Sequence, residues 1–100
     1  MLFRSFQRNV GIGASCIPRK DIEERDRIGV SKMMWGSDYP HPEGTWPHTS
    51  TFLQENFSGF PEEDVRAILG ENAVKWYGLN GTALSEIAAR VGPERDNVLQ

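Results

Sequence analysis

The stretch Lys32-Met33-Met34-Trp35-Gly36-Ser37-Asp38-Tyr39-Pro40-His41 constrains the fold more than any other part of the chain. Lys32 to Trp35 are apolar or long-stemmed with no polar alternation. That suits a strand buried on both faces, as in a parallel sheet covered by helices. Gly36 allows close backbone approach, and Ser37-Asp38 sets a carboxylate at the strand's C-terminal end. Tyr39-Pro40 and His41-Pro42 then read as extended or turning backbone, because proline restricts the residue before it. The C-terminal end of a buried parallel strand is where α/β barrels keep their chemistry, which makes Asp38 the leading candidate for a functional residue. On these ten residues alone, an Asp that merely caps backbone N–H groups in a Ser-Asp-X-Pro turn has the stronger claim.

The flanking sequence places this strand in a βαβ unit. Val10, Ile12, Ala14 and Cys16 alternate with Gly11, Gly13 and Ser15, which predicts a strand over about 9–16 with one face nearly bare. Pro18 ends it. Asp21 and Glu24 have capping-box spacing, so a helix is expected over about 21–28 with Asp21 as its N-cap. Asp21/Arg25 and Glu23/Arg27 are expected to pair along its exposed face, Ile22 and Ile28 to face inward, and Gly29 to close it. The two strands should then be parallel neighbours joined by a right-handed crossover.

Beyond the central strand, a loop dense in Pro, Gly, Trp and His covers 39–49. A short helix follows over 50–57 with Phe52, Leu53 and Phe57 on one side. Pro61 suits a first helical position, and Val65, Ile68 and Leu69 face a core. Gly70 is expected to interrupt the helix, and 71–77 to resume it. Trp35, Trp76 and Tyr77 are expected in the core, and Trp46 as a packing or lid residue. Asn80-Gly81 reads as a turn, and Thr82 as the cap of a last helix bearing Leu84, Ile87, Ala88 and Val91. Residues 94–100 are expected to fray.

Composition narrows the function classes. One hundred residues allow one domain, and 38% hydrophobic with 25% charged residues describes a soluble globular chain. A net charge of −3 points to no nucleic acid and no membrane as partner. The first twenty residues are basic and acid-free, in the manner of an organelle presequence, but the strand expected from residue 9 argues against cleavage there. No apolar run reaches the length of a membrane span. Cys16 is the single cysteine, which rules out an intramolecular disulfide and fits a reducing, cytoplasmic compartment. Two parallel strands and a few short helices do not close a core. The chain is therefore expected to be the end of a larger α/β domain. Alone it is expected to be aggregated, oligomeric or loosely folded, and a homo-oligomer is compatible with it.

Taken together, several blocks carry a family resemblance. They are Asn9-Val10 with Gly-Ile-Gly-Ala-Ser-Cys, Ile28-Gly29-Val30, Met34-Trp35-Gly36-Ser37-Asp38-Tyr39-Pro40-His41 and Glu43-Gly44-Thr45-Trp46-Pro47. Ile68-Leu69-Gly70-Glu71-Asn72-Ala73 and Trp76-Tyr77-Gly78-Leu79 complete the set. Over about 8–92 this resembles the C-terminal part of amidohydrolase-related proteins, in the branch with aminocarboxymuconate-semialdehyde decarboxylase and related aromatic-acid decarboxylases. The resemblance implies a (β/α)8 TIM barrel. Residues 1–100 would be the C-terminal segment of its single domain, holding strand seven, helix seven, strand eight, helix eight and an extension.

Asp38 falls on the family's strand-eight aspartate, which binds or adjoins a divalent metal, usually zinc, and moves protons. His41 is expected to line the substrate mouth or to bond within its own loop. The implied activity is hydrolysis or non-oxidative decarboxylation of a small carboxylic acid, lactone or amide. The family's His-X-His and its two single histidines have no counterpart here, and a catalytic zinc needs about three protein ligands. The isolated chain is therefore expected to hold no metal and to be inactive, and a private site of Asp38, His41, Glu43 and His48 is disfavoured. The rival class is a non-catalytic chain, a truncated paralogue or misassigned reading frame, that at most associates with other proteins. Coding sequence upstream of Met1 separates the two: an in-frame extension bearing His-X-His favours the enzyme.

Overall fold

A computed structural model describes residues 10–100. Strands β1 (Ile12–Ser15) and β2 (Met33–Gly36) pair in parallel, in the register Ile12↔Met33 through Ser15↔Gly36. One further bond, from the Cys16 N–H to the Gly36 carbonyl at 3.0 Å, extends the ladder. In β1, Ile12 and Ala14 are half-buried while Gly13 and Ser15 face outward; in β2, Met33 and Met34 are both buried, one on each face. Among the described residues the sheet has two strands, so each keeps one open edge.

The first strand is shorter than its alternation predicts. Residue 9 lies outside the described residues, and Val10 and Gly11 do not join the ladder. Gly11 is instead a point of close approach. A Cβ there would sit 2.8 Å from Met34 Cε and 2.9 Å from the Trp76 ring.

The crossover is broken where one helix was expected. It forms α1 (Arg19–Glu23), α2 (Arg25–Ile28) and a single 3₁₀ turn over Val30–Lys32. Pro18, not Asp21, is the N-cap residue. Its carbonyl accepts from the Asp21 N–H at 3.0 Å, which leaves Asp21 inside the first turn with no capping role. The break at Glu24 also takes the expected i,i+4 partners out of register. Arg25 reaches Asp64 at 2.8 Å instead, and Arg27 turns back to Glu24 at 3.1 Å. Arg19 and Arg25 both lie over the Phe60 ring, at 4.8 and 4.9 Å from its centre, so Phe60 fastens the crossover to the later helices.

Helix α3 (Thr49–Phe57) buries Leu53 and Phe57. Pro61 serves as the N-cap of α4 (Glu62–Arg66) and does not occupy its first position. Gly70 does not stop the helical path. The chain passes through a π turn over Ala67–Glu71, which lies against β2, and continues as α5 (Asn72–Tyr77). Asn72 is buried, and its Nδ2 donates to the carbonyls of Val30 and Met33 at 2.6 and 2.8 Å. That side chain satisfies two backbone acceptors at the entry to β2.

Helix α6 (Gly81–Val91) is capped by Asn80, whose Oδ1 accepts from the Ala83 N–H at 3.1 Å; Thr82 lies past the cap position and does not cap it. Residues 94–100, expected to fray, form α7 (Arg95–Leu99), which buries Val98. The Leu99 carbonyl accepts from the Gly59 N–H at 3.1 Å. Ile17, Ile22, Met33, Leu53, Phe57, Val65, Ile68 and Val98 form one core cluster. Trp35 packs partly against it, but Trp76 and Tyr77 do not belong to it. Trp76 lies over Gly11 at the surface with its indole N–H 3.4 Å from the Ser31 carbonyl, and Tyr77 is 72% exposed. Among the described residues no helix is long and apolar enough to cross a membrane.

Candidate functional site

β2 delivers Ser37 and Asp38 to the sheet's C-terminal edge, beside the end of β1. Asp38 has φ +61°, in the left-handed region that non-glycine residues seldom enter and that Asp tolerates better than most. The loop beyond it closes on itself through backbone bonds. The His41 N–H donates to the Asp38 carbonyl at 2.8 Å, Gly44 to His41 at 2.9 Å, and Thr45 to Ser37 at 3.0 Å. Ser37 Oγ accepts from the Tyr39 N–H at 3.3 Å. Thr45 is buried, with its hydroxyl 2.9 Å from that of Thr49 in the first turn of α3.

The side chains of Asp38 and His41 are 42% and 55% exposed, with Oδ2 and Nδ1 3.7 Å apart. Nδ1 also accepts from the Glu43 N–H at 3.3 Å. At 3.7 Å the contact with Asp38 is proximity and not a hydrogen bond. An open carboxylate with an imidazole this close can accept a proton and pass it on. The loop thus holds both candidate residues together, with His41 bonded within its own loop.

Glu43 and His48 do not complete a metal site with them. Among the described residues no three His, Cys, Asp or Glu side chains gather closely enough to hold an ion. His48 has a different task at the start of α3. Its carbonyl accepts from the Phe52 N–H at 3.0 Å, and its own N–H donates to Thr45 at 2.7 Å. Trp46 is 65% exposed and meets Tyr39 edge-on, ring centres 5.6 Å apart, forming an aromatic wall on the outer side of the loop.

Two supporting residues escape a reading of the sequence. Cys16 ends β1 at φ +54° and sets its sulfur 4.0 Å from the Ser37 carbonyl and 3.8 Å from that of Glu43. Nothing in its position beyond the strand marks that role. Asn72 does carry a signal, because it continues the apolar stripe of Val65 and Ile68 with a polar side chain, and such a residue needs partners when buried.

A family model described as Amidohydrolase matches residues 23–79, more than half of the chain. The matched span runs from the end of α1 through β2 and the Asp38 loop to the end of α5. No curated protein and no solved structure matches the chain.

Proposed function

The chain belongs to the amidohydrolase family, and from that premise we propose that it is the C-terminal portion of a metal-dependent (β/α)8 enzyme in which Asp38 is the working carboxylate. β1 and β2 would be its seventh and eighth strands. The observation that carries this reading is Asp38 itself, open to solvent at the C-terminal edge of a parallel pair and held in left-handed backbone. Such conformations persist where surrounding structure over-determines them, and they cluster at functional sites. Two further features support a larger domain. Each strand has an open edge among the described residues, and Trp35 Nε1 is buried with no acceptor there.

The described residues do not make a metal site by themselves, because a catalytic zinc takes about three protein ligands and no such group is gathered among them. In this reading the other ligands come from elsewhere in the barrel, and Asp38 contributes one carboxylate beside the ion. Asp38 accepts and returns the proton of the reaction. His41 borders the substrate mouth, where a small carboxylic acid, lactone or amide would sit for hydrolysis or non-oxidative decarboxylation. The branch is that of the aminocarboxymuconate-semialdehyde decarboxylase-like proteins, and the compartment cytoplasmic.

The test is Asp38→Asn in a complete enzyme that ends in this sequence. The substitution keeps the shape and removes the proton acceptor, so the rate should fall ~10²–10⁴-fold. An unchanged rate returns Asp38 to the part of a turn residue. That Asp38 has no companion ligands among the described residues favours a second reading, a non-catalytic truncated paralogue or misassigned reading frame that at most associates with other proteins. It predicts no activity in any context.

A further inference from the structure

We propose that Gly44, together with Thr45, is the positioning element that sets the direction of the Asp38 carboxylate, acting through the Ser37–Asp38 peptide. The proposal rests on the reading of Asp38 as the working carboxylate.

The rotation of the Ser37–Asp38 peptide fixes φ of Asp38, and Gly44 lies directly against that peptide. A Cβ on Gly44 would stand 2.5 Å from the Ser37 carbonyl oxygen, 2.9 Å from the Asp38 oxygen and 3.1 Å from the Asp38 carbonyl carbon. All three are backbone atoms, so no flexible side chain can swing aside to relieve the clash. The nearest of them, the Ser37 oxygen, belongs to the peptide that sets φ of Asp38, and the other two belong to the peptide after it. A side chain at position 44 therefore presses on both peptides flanking Asp38 at φ +61°. The same Ser37 oxygen accepts from the Thr45 N–H at 3.0 Å, with the Cys16 sulfur 4.0 Å away. Thr45 is itself anchored, because it is buried and its hydroxyl reaches Thr49 in α3. The grip thus runs from a helix, through Thr45, to the peptide whose rotation sets φ of Asp38. Gly44 supplies the clearance without which that grip cannot close.

Gly13 provides an internal control. It is a strand glycine on the neighbouring strand with nothing within 4 Å of the position its Cβ would take. The experiment compares the full chain with its Gly44→Ala, Thr45→Val and Gly13→Ala variants by NMR. It reads the backbone shifts and φ-dependent amide coupling of Asp38, together with hydrogen exchange at the Thr45 N–H. Gly44→Ala should move Asp38 out of its left-handed values and speed Thr45 exchange by ~10-fold or more, as loss of one buried hydrogen bond implies.

Thr45→Val keeps the N–H and loses only the hydroxyl anchor. It should move Asp38 in the same direction by less, and it carries the test if Gly44→Ala does not fold. Gly13→Ala should leave Asp38 unmoved. A wild-type Asp38 without left-handed values overturns the proposal. So does an Asp38 unmoved in both loop variants, or moved as far by Gly13→Ala. Because the measurement reads backbone geometry, it is independent of the activity of Asp38→Asn, and either idea can fail without the other.

Discussion

Helix α6 carries Leu84, Ile87, Ala88 and Val91 at helical spacing, with an Asn cap, whereas α7 is five residues long, mostly polar and without a side-chain cap. In the fold their places are reversed. Leu84, Ile87 and Val91 are 40%, 46% and 77% exposed, and α6 stands across a cleft of about 780 Å³ from α4 and α5. α7 packs against α3, buries Val98 in the core cluster, accepts the Gly59 N–H, and ties Arg95 to Glu62 at 2.8 Å. An apolar stripe tells which face of a helix gains from being covered. It does not tell whether the chain supplies the cover. One well-placed valine with two polar anchors holds α7 down more firmly than four apolar residues hold α6.

The largest test of this contrast is the floor on which α7 sits. Phe57 is fully buried, so Phe57→Ala should cost about 3–5 kcal/mol by urea unfolding and release α7 with it. Loss of α7 with the stability unchanged would break the comparison. Next comes a matched pair of valines. Val98→Ala should cost about 1.5–3 kcal/mol, whereas Val91→Ala should stay within about 0.5 kcal/mol. Equal costs would mean that the exposed face of α6 is covered in solution after all.

The smallest effect is electrostatic. Hydrogen bonds from Arg95 and then from Arg66 hold the Glu62 carboxyl below the usual glutamate range. Its contribution is therefore fully present above the ordinary glutamate pKa and is lost as pH falls through the lowered value. Being exposed, it should be slight and should weaken with salt. After correction for intrinsic rates, exchange of the Gly59 N–H should quicken on acidification in wild type. In Glu62→Gln it should change less. Exchange at the Ala83 N–H, which caps α6, should be indifferent to both.

How far the sequence could be read follows the range of the forces involved. The parallel pair and the place of Asp38 at its edge were legible, because a run of Met-Met-Trp without alternation and a flanking βαβ spacing are local signals. The family was legible for the same reason, and its matched span contains the Met-Met-Trp run and the Asp38 loop, though not the first strand. Partner choice was not local. Asp21 had the spacing of a cap, but the Pro18 carbonyl had already begun the helix. Arg25 had an i,i+4 acid and bonded Asp64 instead, nearly forty residues away, where Phe60 offers a ring to stack upon. Gly70 looked like a stop, yet a π turn absorbed it, while Asn72 drew the next turn onto the Val30 and Met33 carbonyls. At the site, the residue types pointed to Asp38 and His41. The clearance at Gly44 became visible only when the loop was seen closed.

Val98 shares its core cluster with Ile17, and that has a consequence for how the protein is made. A chain leaving the ribosome cannot complete this core until residue 98 emerges, roughly 80 residues after Ile17, a wait of about 4–16 s at ordinary synthesis rates. In the later part of that interval Leu53, Phe57, Val65 and Ile68 have been synthesised without their last partner. Hydrophobic surface exposed in that window is what chaperones recognise, so the fold is vulnerable while it is being made.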